Sequence, residues 1–276
     1  MALRPLRHMA QQVAVRSLSS GSSTAVGAAR ACSSVTTRLQ EVLGKVDAAS
    51  AQGGTETAAA KVRLVAVSKT KPVELLQEAY ASGHRHFGEN YVQELVEKAP
   101  LMPDDVEWHF IGKLQTNKVN KLVKGCTSLS CLETVDSEKL AQALNRAWLA
   151  VHADGRKLKV MVQVNTSGEG SKNGVRPDES CVKLCSRIAR EFTGLHLAGL
   201  MTIGAPDYSG CRIEDFEALK KCRREVATAI GVDVDSLELS MGMSNDYENA
   251  IQQGSTSVRV GSSIFGARQY PAAAKA

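Results

Sequence analysis

The chain lacks any run of about 18 apolar residues, so no segment is expected to span a membrane. It has no C-x-x-C pair, and no histidine sits at zinc-finger spacing from a cysteine, so no metal site is expected. Its cysteines are scattered as Cys32, Cys126, Cys131, Cys181, Cys185, Cys211 and Cys222 and read as reduced thiols of a non-secreted protein. Cys181 and Cys185, one helical turn apart, suit packing better than bonding. No Gly-x-Gly-x-x-Gly follows the first strand-like run, which weakens a dinucleotide-binding reading. Acidic residues are missing from residues 1–40, as is lysine, while Arg4, Arg7, Arg16, Arg30 and Arg38 fall there. Setting these five arginines aside leaves 29 basic and 29 acidic residues, so the formal charge of +5 belongs to the leader. A neutral body argues against nucleic acid as a main partner.

What is present at the amino end reads as an address. Residues 1–34 are rich in Ser and Ala, and Leu3, Leu6, Met9, Ala10 and Val13 recur at helical spacing with Arg4 and Arg7 off the stripe. That pattern predicts an organellar transit peptide, disordered on its own. Arg16-Ser17-Leu18-Ser19 resembles a mitochondrial processing site cut after Leu18. The expected destination is mitochondrial, with the chloroplast or the cytoplasm as alternatives.

Residues 35–276 are expected to form a single domain of ordinary globular composition, 43% hydrophobic and 23% charged over the whole chain. Val35 to Ala48 reads as a helix, followed by a Gly/Ala/Ser/Thr-rich link to Ala60. Eight strand-like runs then appear, at 62–68, 86–89, 106–111, 128–132, 159–165, 196–203, 237–243 and 257–265. Seven helical segments separate them, at 73–81, 91–98, 116–124, 137–152, 177–191, 212–230 and 246–253. This alternation predicts an α/β fold, a (β/α)8 TIM barrel with an extra N-terminal helix; a doubly wound open sheet is the alternative. Such a barrel places its active face at the strand carboxyl ends. The residues there include Lys69, Glu89, Asn90, Gly112, Thr134, Asn165, Thr202, Met243, Ser244, Gly261 and Ser262. They are polar and small for the ends of buried strands, and their convergence is the signal.

Three stretches carry chemistry. Lys69 closes Leu64-Val65-Ala66-Val67-Ser68-Lys69; an amine flanked by apolar residues is poorly solvated, which favours its neutral, nucleophilic form, and Lys71 pushes the same way. Taken alone, a strand-end lysine more often simply leaves the sheet and meets water. In Val258-Arg259-Val260-Gly261-Ser262, alternation puts Arg259 and Gly261 on one face; Gly261 leaves room for a ligand and Ser262 adds a hydroxyl. Arg259 could instead pair with a buried carboxylate. In Met243-Ser244-Asn245-Asp246-Tyr247-Glu248, Ser244 or Asn245 is placed to cap a short helix, and amides exposed at such a start attract phosphate. An amine, an oriented arginine and a phosphate cradle are what pyridoxal 5'-phosphate (PLP) requires. Ser167–Gly174 is a glycine-rich loop, too irregular for a Walker loop, read either as a mobile lid carrying Lys172 or as an ordinary loop. Lys113, Lys118, Lys121 and Lys124 read as a solvated helix face. His84 and His86 look structural, and His109 reads as a hydrogen-bonded core imidazole.

With these residues assembled, the chain resembles the pyridoxal phosphate homeostasis proteins, single-domain relatives of the alanine racemase barrel. The matching segments are Ala66–Pro72, Phe87–Glu94, Trp108–Lys118, Leu239–Ser244 and Val258–Gly266, in order over about Val62 to Arg268. The resemblance implies PLP held as an aldimine on Lys69, phosphate contacts at Ser244, Gly261 and Ser262, and Arg259 facing the pyridine nitrogen. Asn90 matches a cofactor-lining position, and Met243 is taken with the same set. It implies a role in vitamin B6 homeostasis, with delivery to apo PLP-dependent enzymes as partners, a monomeric state and no catalytic residue. The leader lies outside the resemblance.

The alternative is a PLP-dependent amino-acid racemase. Dimeric alanine racemases add a second domain that supplies a second base; none is expected here, so two-base racemisation lacks an evident partner. An arginine does not give up its proton to the pyridine nitrogen, which weakens the ring as an electron sink. A Schiff-base aldolase acting on a phosphosugar would also use a lysine and a phosphate cradle, but would not need Arg259.

Overall fold

The computed structural model describes residues 34–52, 61–169, 173–204 and 212–267. The expected leader lies outside the described residues except for Ser34, and so does Lys172. Eight parallel strands close in sequence order into a barrel: β1 (Arg63–Val67), β2 (His86–Glu89), β3 (Glu107–Phe110), β4 (Leu129–Val135), β5 (Leu158–Gln163), β6 (Leu195–Met201), β7 (Glu238–Met243) and β8 (Ser257–Val260). β8 pairs with β1, with Ala66 opposite Val260, and removes the last sheet edge. The barrel expected from the alternation is therefore the one found, and the open sheet is not.

An extra helix, α1 (Val35–Gln52), precedes the barrel; the others follow strands in turn as α2 (Val73–Ala81), α3 (Val92–Lys98), α4 (Val119–Gly125), α5 (Glu138–Val151), α6 (Glu179–Glu191), α7 (Ile213–Ile230), α8 (Tyr247–Gln252) and α9 (Ser262–Phe265). Leu39, Val42 and Val46 of α1 are buried at the i, i+3, i+7 spacing of an amphipathic helix. α1 lies against α2, α8 and α9, where Arg38 Nε donates to Ile264 O at 2.5 Å. The expected eighth strand is too long: pairing ends at Val260, and Gly261 turns the chain into α9. The cap expected at Ser244 or Asn245 falls instead on Asp246, whose Oδ1 accepts from Met243 N at 2.6 Å.

The core has two layers of different character. Between strands and helices lies a large apolar layer containing Phe87, Trp108, Phe110, Leu132, Leu144, Trp148 and Phe216. Inside the barrel the apolar cluster is small: Cys131, Met161, Ala198 and Met201. Polar side chains fill the rest of that interior, because residues from strands that are not neighbours hydrogen-bond across it. Ser240 of β7 reaches Glu133 of β4, and both are fully buried. No helix among the described residues is long and apolar enough to cross a membrane.

Candidate functional site

Parallel closure brings all eight strand carboxyl ends to one mouth. Lys69 follows β1, Asn90 follows β2, Gly112 follows β3, Thr202 follows β6, Ser244 follows β7 and Gly261 follows β8. The β8–β1 pairing makes the turns after these two strands neighbours. A Cβ built on Gly261 would lie 3.0 Å from Val67 O and 3.2 Å from Val67 Cβ, so the glycine lets this backbone pass against the residue two before Lys69. Gly261 N donates to Ser244 Oγ at 3.3 Å, which ties the ends of β7 and β8 together.

Lys69 is half-buried and occupies the second position of a four-residue turn, closed by Lys71 N donating to Ser68 O at 3.1 Å. Thr70, the third position, has φ 60°, a left-handed conformation unusual for a β-branched residue. Its amide donates to Glu94 Oε2 at 2.7 Å. Lys71 turns away to donate from Nζ to Ala267 O at 2.6 Å; partial burial lowers its pKa, and the charge of Arg38 adds to this.

Arg259 is buried inside the barrel. Its Nη1 donates to Ser240 Oγ at 2.5 Å and its Nη2 to Thr202 O at 2.6 Å. Ser240 passes the bond on to Glu133 Oε2 at 2.5 Å, and that oxygen lies 4.0 Å from Arg259 Nη1. Glu133 Oε1 meets His109 Nδ1 at 2.7 Å, and His109 Nε2 meets His86 Nδ1 at 3.3 Å. Burial alone would raise the Glu133 pKa; the His109 hydrogen bond and charge, the Arg259 charge and the Ser240 hydroxyl overcome it and hold the carboxyl below its ordinary value. Burial lowers the His86 pKa to about 4, with the charge of His109 pushing the same way, so that imidazole is neutral near pH 7. A hydrogen-bonded column thus runs from the guanidinium through the barrel interior to the β2 side.

The residues fit the cofactor named by the sequence. Asn90 Oδ1 is buried without a hydrogen-bond partner among the described residues, which a bound ligand would remedy. Beneath it, Gly112 is obligatory: a Cβ there would stand 2.0 Å from Asn90 O and 2.7 Å from its Cα. Ser262 opens α9 and is exposed, next to the half-buried Gly261 and Ser244. Met243 ends β7 and is half-buried. The residues singled out from the sequence for cofactor binding therefore lie on one mouth, except Arg259, which is buried inside the barrel on β8. On the loop after β5, Asn165 Nδ2 donates to Glu169 O at 2.8 Å and Gln163 Nε2 to Asn173 O at 3.1 Å.

Sequence reasoning missed the groups behind these residues. It weighed a buried carboxylate for Arg259 without naming Glu133, while its readings of His86 as structural and of His109 as a hydrogen-bonded core imidazole agree with the column. It also passed over Lys98, 8% exposed, which bonds Glu89 and Glu94. A signal existed in the Glu94/Lys98 i, i+4 spacing, but that pattern ordinarily marks a solvated face. The cluster of His109, Cys131 and Glu133 brings three potential metal ligands within 4.8 Å. Burial and nearby carboxylates keep the Cys131 thiol protonated, and both His109 Nδ1 and Glu133 are committed to each other, so the arrangement suits hydrogen bonding better than a metal.

Comparison with known proteins gives three kinds of likeness. The family profile described as "Alanine racemase, N-terminal domain" matches residues 54–269. A pyridoxal phosphate homeostasis protein of Caenorhabditis elegans is 49% identical over 217 residues, 76% of this chain and 87% of the relative. One from Mus musculus is 47% identical over 239 residues, 84% of this chain and 86% of the relative. Among solved structures, PipY of Synechococcus elongatus with PLP bound superposes with a TM-score of 0.62 at 31% identity, covering 84% of this chain and all of that one.

Proposed function

This chain belongs to the family of pyridoxal phosphate homeostasis proteins, built on the alanine racemase N-terminal domain, and we propose that it holds PLP reversibly on Lys69 and thereby maintains the cellular pool of that cofactor. The observation that supports the assignment to these residues is the β8–β1 closure, which pairs Arg259 with Val65 and brings the Gly261 backbone against Val67, two residues before Lys69.

When bound, PLP supplies an aldehyde that amines take up and release reversibly. The chain's own residues then divide the work. Lys69 offers the amine from a turn that fixes its root. Ser244, Gly261 and Ser262 would hold the phosphate with hydroxyls and backbone amides that the β7 and β8 ends present together. Asn90 offers its unpartnered oxygen, and Met243 gives apolar contact at the rim. With PLP bound, Arg259 would face the ring nitrogen, as the family resemblance implies. Its guanidinium keeps its protons, and Ser240, Thr202 O and Glu133 hold it in place. A fixed cation that donates a hydrogen bond but no proton leaves the ring a weak electron sink. That limits carbanion chemistry without forbidding racemisation, and so supports a carrier more than an enzyme that relies on the ring as a strong electron sink.

The reading extends to a monomeric carrier that delivers PLP to apo-enzymes from within mitochondria. Holo-protein is incubated with L-alanine and other amino acids, and racemisation and transamination are followed by chiral chromatography. It is also offered to an apo PLP enzyme in the presence of a scavenger of free PLP. Reactivation without amino-acid turnover is expected; turnover at ordinary enzyme rates, about 1 per second or more, overturns the carrier reading. Residues 1–40 fused to a fluorescent reporter test the address: mitochondrial fluorescence is expected, and diffuse or plastid fluorescence contradicts it.

A further inference from the structure

We propose that Lys98 is a positioning residue for Lys69, clamping the two peptide groups that flank the amine-bearing residue through a charge cluster with Glu89 and Glu94. The inference rests on Lys69 as the residue that takes PLP, and concerns how its side chain is aimed.

Lys98 ends α3 and is buried against the carboxyl ends of β1 and β2. Its ammonium has three protons and three acceptors: Ser68 O at 3.0 Å, Glu89 Oε1 at 2.8 Å and Glu94 Oε2 at 2.9 Å. Ser68 O belongs to the peptide group before Lys69. Glu94 Oε2 also accepts the Thr70 amide, at 2.7 Å, from the peptide group after Lys69. The remaining strand is closed by Ser68 Oγ, which donates to Glu89 Oε1 at 2.7 Å. One ammonium and two carboxylates therefore fix both peptide planes of a single residue.

The direction of a Cα–Cβ bond is set by the two planes that meet at that Cα. Fixing both determines where the Lys69 side chain leaves the backbone, while its flexible stem remains able to move. The arrangement also holds Thr70 in its left-handed conformation, which a β-branched residue rarely adopts unsupported. The cluster is a costly one for a surface-exposed purpose. Glu89 is fully buried, and burial pushes its carboxyl up while the Lys98 charge and hydrogen bond and the Ser68 hydroxyl oppose this. A buried ammonium between two carboxylates contributes little net stability. Its geometric consequence, two clamped peptide planes around Lys69, is the consequence that bears on the site.

The test uses Lys98→Met and Glu94→Ala in the full-length chain. Lys98→Met removes the ammonium, and Glu89 can then take a proton; Glu94→Ala removes only the partly exposed member and guards against a folding failure of the first. Three quantities are read. The rate at which Lys69 becomes borohydride-fixable after apo-protein is mixed with PLP should fall by about tenfold to a hundredfold, the scale of a misplacement of about 1 Å. Hydrogen exchange of the Thr70 amide in the apo-protein, which needs no cofactor, should quicken by about tenfold or more. Affinity for pyridoxine 5'-phosphate, whose alcohol cannot react with an amine, should stay within about twofold of wild type if the phosphate cradle is intact. Wild-type labelling rates in both variants overturn the clamp while leaving Lys69 as the attachment residue. A wild-type label on some other lysine overturns the attachment reading and the positioning role with it. Loss of pyridoxine 5'-phosphate binding in both variants shows general damage to the mouth and also counts against a specific clamp.

Discussion

Replacing Glu133 by glutamine removes one negative charge from the middle of the barrel and changes almost no volume. The carboxylate is fully buried, accepts from His109 at 2.7 Å and Ser240 at 2.5 Å, and lies 4.0 Å from the Arg259 guanidinium. Two consequences overlap. Arg259 loses its counter-charge, and breaking a buried pair by removing one partner costs about 3–5 kcal/mol. The new amide group also points a donor at either His109 Nδ1–H or Ser240 Oγ–H, leaving a buried donor unsatisfied at about 1–3 kcal/mol. These terms describe the same rearrangement and do not sum, so the expected loss is about 3–5 kcal/mol, a large part of a typical stability of about 5–15 kcal/mol. At about 2–4 °C per kcal/mol for a domain of this size, Tm should fall by roughly 6–20 °C. Thermal unfolding of Glu133→Gln, Arg259→Met and the double variant at pH 7.5 measures this. The double variant should cost clearly less than the two singles added, because neither charge is then left alone. A Tm within about 2 °C of wild type for Glu133→Gln, or additive singles, would refute the reasoning.

Gly112→Ala should be destabilising by about 1–3 kcal/mol or more, because its Cβ would stand 2.0 Å from Asn90 O and backbone cannot swing aside; denaturant unfolding with an unchanged midpoint would contradict the close approach. Acid should destabilise the fold through His84, whose pKa burial lowers to about 4, offset in part by its bond to His86 O and reinforced by the charges of His109 and Arg85. The unfolded chain takes up this proton below about pH 6.5 and the folded chain does not, so stability is full above that pH and drains away toward pH 4. The gap corresponds to roughly 3 kcal/mol, and His84→Gln should reduce the pH 7.5 to pH 5 difference in urea midpoint, with His86, also lowered to about 4, carrying part of what remains; an equal drop in both proteins would show that His84 carries none of it.

The barrel was legible because its strands and helices alternate along the chain and burial on the outer face gives continuous apolar runs. Strand and helix limits were right within a few residues wherever a polar break ended the run, as at His86–Glu89 and Val73–Ala81. The eighth strand was overextended because Ser262-Ser263-Ile264-Phe265 is apolar enough to continue a strand, and only the turn at Gly261 stops it. On the candidate site, the residues at strand ends could be picked out because position along the chain alone places them on one mouth. Their supports could not. Glu133 meets Ser240 across 107 residues, and Lys98 meets Ser68 across 30; such pairings depend on closure and on which face of a helix turns inward. Buried polar side chains look in a sequence like solvated ones, so His109 and Arg259 could be read singly as buried polar groups, but the column that joins them and the Lys98 cluster left no distinct mark.

The most direct test of the central claim is where PLP attaches. Purified full-length protein is loaded with PLP, treated with borohydride, digested and mapped by mass spectrometry, alongside Lys69→Ala. The account predicts a yellow protein with a phosphopyridoxyl label on Lys69. It predicts that the variant loses label and colour while keeping some PLP through Ser244, Gly261 and Ser262. A label confined to Lys71 or Lys172, or an undiminished label in Lys69→Ala, would contradict it.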